Sequence, residues 1–103
     1  MELVDFVYNL VKSFPKSENS VLIPQLLRAV NSVPANIAEG SYRRSNKEFI
    51  QFLYVAKGSV SETLTLLEIA NRRRYITREQ REEIRALCKD ILNLLSALTK
   101  SLY

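Results

Sequence analysis

The chain has 103 residues, 47% of them hydrophobic, with 15 Lys or Arg against 11 Asp or Glu, a formal net charge of +4 and no histidine. That length supports one domain, residues 1–103, able to bury roughly two thirds of the surface its unfolded chain exposes. With no histidine and one cysteine, Cys88, it can build neither a zinc site, nor the carboxylate–histidine centre of a di-iron bundle, nor an intrachain disulfide, so neither a metal nor another cofactor is expected.

Two glycines and three prolines leave little material for turns, which favours long helices joined by short loops. The first helix, Glu2 to Phe14, places Leu3, Phe6, Val7, Leu10 and Phe14 on one face, and Pro15 stops it. The second starts near Pro24, carries Leu26, Val30, Val33 and Ile37 at alternating steps of four and three, and ends at Gly40. The third begins at Ser45, where Ser45-Asn46-Lys47-Glu48 fits a capping box, and runs through Phe49, Leu53, Ala56, Val60, Leu64, Leu67 and Ala70. Arg72-Arg73-Arg74-Tyr75-Ile76 interrupts the period. The fourth opens on a second capping-box candidate, Thr77 to Gln80, and continues through Ile84, Cys88, Ile91, Leu95, Leu98 and Leu102. Short connections make sequential helices antiparallel, so the fold expected is all-α, an antiparallel up-down-up-down four-helix bundle. The N-terminus lacks the basic start and apolar run of a signal peptide, and no segment has the length and hydropathy of a membrane span, so a cytoplasmic protein without a membrane partner is expected.

Apolar residues outnumber what a narrow seam needs. Ile50, Phe52, Tyr54 and Leu66 on the third helix and Leu87, Leu92 and Leu94 on the fourth widen the stripe, and part of that surface is expected between subunits of a homo-oligomer. Gly58, interior to the third helix, is expected where a neighbouring helix approaches closely, because an interior glycine costs about 1 kcal/mol relative to alanine. Pro34 within the second helix and Glu39 at its end, where the helix dipole disfavours negative charge, both call for compensation. A structural polar network is expected, with Arg28 paired to Glu62 or Glu39 and Asn36 bonded to a backbone group left free near Pro34. Catalysis by paired carboxylates is disfavoured because no nucleophile or metal accompanies them, and a ribonuclease of the helical toxin type lacks its histidine.

The charge is unevenly placed. Residues 72–89 hold seven Arg or Lys and three Glu, a net of +4, and the rest of the chain sums to zero. On a helix, Arg78, Arg81, Arg85 and Lys89 share a face beside the apolar seam, while Glu79, Glu82 and Glu83 are expected to turn elsewhere. Arg43, Arg44 and Lys47 form a second cluster, and Arg72, Arg73 and Arg74 a third. Guanidinium forks suit phosphates, and Tyr42 and Tyr75 beside arginines offer rings for stacking, so these ten cations are the candidate nucleic-acid contacts and RNA the expected partner. The alternative is a protein-interaction scaffold.

Phe14-Pro15-Lys16-x-Glu18, Gln25-Leu26-x-Arg28-Ala29, Ser32-x-Pro34-x-Asn36-Ile37-Ala38-Glu39-Gly40, Arg43, Glu48-Phe49-Ile50-x-Phe52-Leu53, Ala56-x-Gly58-Ser59 and Glu62 together resemble a bacterial family. Its members are the proteins read from intervening sequences of large-subunit ribosomal RNA genes and the accessory variability determinant of diversity-generating retroelements. The resemblance implies an antiparallel four-helix bundle assembled as a homopentameric ring with a basic surface. For the retroelement members it implies binding to a reverse transcriptase and its RNA. It also implies structural roles for Arg28, Asn36, Glu39, Gly40, Gly58 and Glu62. Pro24 departs from the family pattern, and a charge of +4 is modest for a retroelement accessory protein.

Overall fold

The four apolar stripes fold as four helices in a computed structural model that describes all of residues 1–103: α1 (Glu2–Val11), α2 (Leu22–Ser41), α3 (Asn46–Arg72) and α4 (Arg78–Ser101). The protein is an all-α four-helix bundle, elongated to 44 × 25 × 18 Å. Asn46 Nδ2 donates to the Leu102 carbonyl at one end of α3, and Arg81 bonds Glu68 at the other, so α3 and α4 run antiparallel. Ser32 meets Ser59 midway along α2 and α3, and Gly40 meets Phe52 near the turn between them, which fixes that pair as antiparallel too.

One core runs through the bundle. Leu3, Val7 and Leu10 of α1, Leu26, Val30 and Val33 of α2, Leu53, Ala56 and Val60 of α3, and Ile84, Cys88 and Leu95 of α4 are all buried. Complete burial of each such aliphatic side chain stabilises the fold by about 1.5–3 kcal/mol. Ile37, Leu64, Ile91, Leu98 and Leu102 belong to the same stripes but are only half-buried at their margins.

The ends differ from expectation for local reasons. α1 stops at Val11 rather than Phe14, because Lys12, Ser13 and Phe14 donate to carbonyls three residues back and the Ser13 hydroxyl takes the Leu10 carbonyl. Pro15 then opens a 3₁₀ turn, Lys16–Glu18, that the sequence did not suggest. Phe14 still reaches the core and packs on Tyr75 with ring centroids 5.3 Å apart. α2 begins at Leu22, so Pro24 falls within its first turn, where a missing N–H leaves no bond unmade.

Both N-caps lie where the sequence put them. Thr77 and Gln80 form a reciprocal capping box, with the Gln80 amide N–H donating to Thr77 Oγ1 (3.1 Å) and the Thr77 N–H to Gln80 Oε1 (2.9 Å). At Ser45 only half of the box forms. The Glu48 N–H donates to Ser45 Oγ, while the Glu48 carboxylate lies 3.4 Å from that hydroxyl instead of taking the Ser45 N–H.

Neither glycine takes its expected role. Gly40 does not close α2 through a left-handed residue, since the helix continues to Ser41 and no glycine has positive φ. It is buried because α3 comes so close that a Cβ there would stand 2.7 Å from Phe52 Cβ. Gly58, expected at a close helix contact, is exposed, and a Cβ added there would meet nothing within 4 Å. The residue that does adopt left-handed backbone is Arg74, with φ 63°. The Tyr75 N–H donates to the Ala70 carbonyl and the Arg74 N–H to the Asn71 carbonyl, a Schellman ending in which arginine occupies the position usually given to glycine.

Candidate nucleic-acid interface

The ten candidate cations fall in three places. Arg43, Arg44 and Lys47 sit at the α2–α3 turn and the first turn of α3, Arg72, Arg73 and Arg74 at the far end of α3, and Arg78, Arg81, Arg85 and Lys89 along α4. A helix of 27 residues separates the first two groups by about 40 Å, so within one chain they do not merge into a single patch.

Several of these cations are already engaged. Arg43 bonds the Glu39 carboxylate one turn back, and its guanidinium stacks 4.7 Å from the Phe52 ring centroid. Arg78 lies 3.5 Å from Glu82, so Glu82 does not turn away from the arginine stripe as its helical position suggested. Arg81 grips Glu68 with two bonds, 2.9 and 3.3 Å, a fork that holds the Glu68 carboxyl below its ordinary range and raises the Arg81 guanidinium further.

Arg85 and Lys89 have no carboxylate within ion-pair distance. One turn apart on α4, they line an open groove between α3 and α4 whose floor is Leu64, Ala86 and Leu92, with Asn93 one turn beyond Lys89. The groove has a volume of about 390 Å³. Farther along the same pair of helices, Lys57 Nζ lies 5.6 Å from the Tyr54 ring, and the Tyr54 and Tyr103 hydroxyls are 3.1 Å apart. That bond raises the Tyr103 hydroxyl above its ordinary pKa. Lys47, Ile50, Gln51, Leu102 and Tyr103 then enclose a second hollow at the end of the bundle.

α4 separates charge between its two flanks. The groove it forms with α1 is lined by Glu2, Asp5, Phe6, Asn9, Glu83 and Leu87, and a neighbouring hollow adds Asp90, with no lysine or arginine in either. The α3 flank is therefore basic and the α1 flank acidic.

The expected polar network takes a different form. Arg28, Glu39 and Glu62 are exposed, and Arg28 pairs with neither carboxylate inside the chain, because Glu39 is taken by Arg43 and Glu62 faces solvent. Asn36 does bond a backbone carbonyl, that of Ser32 at 2.8 Å, whereas the carbonyl deprived of its donor by Pro34 is Val30's, four residues before the proline. The buried polar link between α2 and α3 is made by hydroxyls instead: Ser59 Oγ donates to Ser32 Oγ at 2.8 Å, and Asn36 Nδ2 donates to the same oxygen at 2.9 Å. Ser59 was not singled out in the sequence for this role.

The expected intersubunit surplus is also redistributed. Ile50 and Leu66 are buried within the chain, Phe52, Leu87 and Leu92 are half-buried, and only Tyr54 and Leu94 of that set remain exposed. Other exposed apolar residues are Val21, just before α2, and Val55 and Ile69 of α3. Of the two tyrosines proposed for stacking, Tyr42 is exposed, while Tyr75 is half-buried and held by Phe14 and by a 2.8 Å bond from its hydroxyl to Glu18. Lys57, Asn93 and Tyr103 were not singled out in the sequence, and Tyr54 only as apolar surplus, because nothing in the sequence tells which stripe of α3 faces α4.

No helix is long and apolar enough to cross a membrane. No curated protein matches the chain. Among solved structures, it is similar to a protein of unknown function from the S23 ribosomal protein family of Bacteroides thetaiotaomicron, at 34% identity and a TM-score of 0.80, covering 96% of this chain and 89% of that one. The family model for the 23S rRNA-intervening sequence protein matches residues 1–97, so the chain belongs to that family.

Proposed function

We propose that this protein is a non-catalytic RNA-binding protein that works as a homo-oligomer. The observation that carries the reading is the pair Arg85 and Lys89, which stand side by side in an open groove with no carboxylate to neutralise them. Two unpartnered cations one turn apart on a rigid helix suit successive phosphates, whereas Arg78 and Arg81 on the same helix are held by carboxylates. Membership of a family named for ribosomal RNA intervening sequences agrees with RNA as the ligand.

Self-association is supported by apolar residues exposed on α3 and just before α2. These are Val21, Val55 and Ile69, and Arg28 and Glu62, on α2 and α3, lack partners within the chain. Gly58, with open space above it, would let another backbone approach. The same residues would serve a protein scaffold, such as an accessory subunit of a reverse transcriptase, and that is the second reading. Light-scattering mass with and without a structured RNA, followed by a salt titration of the complex, tests both. A defined oligomer whose RNA affinity falls steeply with salt supports the proposal. An oligomer indifferent to RNA near physiological salt favours the scaffold.

A further inference from the structure

We propose that the α3–α4 groove holds a single polynucleotide strand, with phosphates on Arg85 and Lys89 and unstacked bases against the apolar floor and the Tyr54–Tyr103 pair. This deepens the RNA-binding reading and rests on it. A cationic surface alone would accept any phosphate backbone. This groove adds an apolar floor between its cations, at Leu64, Ala86 and Leu92, and a side-chain amide, Asn93, able both to donate and to accept.

A duplex cannot use those features. Its bases are stacked on one another, and double-stranded RNA presents ribose and phosphate to a protein, so Leu64 and Leu92 would stay in contact with water. A single strand offers base faces that cover apolar and aromatic side chains, with its phosphates left at the rim. The geometry continues along the helices in that sense. Lys47, Tyr54, Lys57 and Leu64 recur along α3 at spacings that keep them on one stripe, and Arg85, Lys89 and Asn93 do so on α4, with Tyr103 just past its end. The joined tyrosine rings are exposed, at 47% for Tyr54 and 82% for Tyr103, and Lys57 sits beside the first. Of the carboxylates near this seam, Glu68 is held by Arg81 and Glu82 by Arg78, while Glu2, Asp5, Glu83 and Asp90 line the opposite flank of α4.

The test uses fluorescence anisotropy on the full chain with three labelled probes of equal length: an unstructured oligouridylate, an RNA duplex, and an oligothymidylate. Tyr54→Leu/Tyr103→Leu removes the rings while keeping apolar bulk, and Tyr8→Leu, on the α1–α2 side where Tyr8 accepts from Asn31, is the control. Urea melts confirm that each variant is folded. The expected result is tighter binding of the single strands than of the duplex, and a loss of about tenfold or more in single-strand affinity for the double variant, since the bases lose the rings they stack on. Duplex affinity and Tyr8→Leu should be unchanged. Preference for the ribose probe over the deoxyribose probe assigns RNA, and equal affinity assigns a platform that reads no 2′-hydroxyl; both support the groove. Duplex binding as tight as single-strand binding, or a double variant that binds oligouridylate like wild type, overturns the placement while leaving RNA binding intact. Failure of all three probes to bind overturns the RNA-binding reading itself.

Discussion

Gly40→Ala sets two known effects against each other at one atom. Gly40 lies inside α2, where exchanging glycine for alanine in a helix favours folding by about 1 kcal/mol. The added methyl would stand 2.7 Å from Phe52 Cβ and 2.8 Å from Phe49 Cδ1, against an ordinary contact of 3.4 Å or more. The Phe49 ring can swing aside. Phe52 Cβ cannot, because it is bonded directly to the backbone of α3, so the two helices must separate by several tenths of an ångström where they pack most closely. Overpacking of this kind costs about 1–3 kcal/mol, and a backbone-fixed neighbour places the cost near the upper end, about 3. The net expectation is a loss of about 2 kcal/mol, or a fall of roughly 8–16 °C in Tm for a domain of this size. Gly58→Ala supplies the opposite case, since its position is helical, exposed and free of neighbours. It should raise stability by about 1 kcal/mol in the isolated chain. Urea unfolding followed by circular dichroism, at a protein concentration low enough that light scattering shows monomer, measures both without a contribution from assembly. A Gly40→Ala protein as stable as wild type would refute the packing argument for this glycine.

Two further outcomes follow from local geometry. Arg74→Gly relieves a left-handed arginine at φ 63° and should raise the urea midpoint by an amount corresponding to about 1 kcal/mol; if Arg74 contacts phosphate, RNA affinity should fall in the same variant. The Cys88 thiol is buried, and burial pushes its pKa up to about 11 from an ordinary value of 9.0. The folded state thus keeps its proton at a pH where the unfolded chain loses it, so this contribution is fully present below pH 9 and is lost as pH rises through about 11. Stability curves of wild type and Cys88→Ala should therefore run parallel below pH 9 and converge above it, by about 2–3 kcal/mol at most.

Much of the fold is legible in the sequence, because period and capping are local properties. The stripe through Val30 and Val33, the box at Thr77 and the cap at Ser45 all depend on residues within a few positions of one another. What eluded the sequence depends on pairing. Gly40 and Gly58 look alike in sequence, and only the approach of Phe52 to one of them distinguishes a packing glycine from an exposed one. Arg81 and Arg85 are neighbours on one helical face, yet Glu68, thirteen residues before Arg81, engages the first and leaves the second unpaired. The groove itself exists only where two stripes meet, which is why Lys57, Asn93 and the Tyr54–Tyr103 pair gave no advance sign of belonging together.

The position of the two free cations in the groove yields the most direct test of the central claim. The salt dependence of oligouridylate binding should be measured for wild type, for Arg85→Gln/Lys89→Gln and for Lys12→Gln/Lys16→Gln, two exposed lysines outside the groove that pair no carboxylate, each variant removing two positive charges. If RNA rests on the groove, the first variant should lose affinity and about 1.4 of the slope of log K against log salt, at roughly 0.7 per single-strand phosphate contact, while the second should lose far less of both. Equal losses in the two variants would contradict the account, for they would show a response to net charge alone, with no role for the two free cations between α3 and α4.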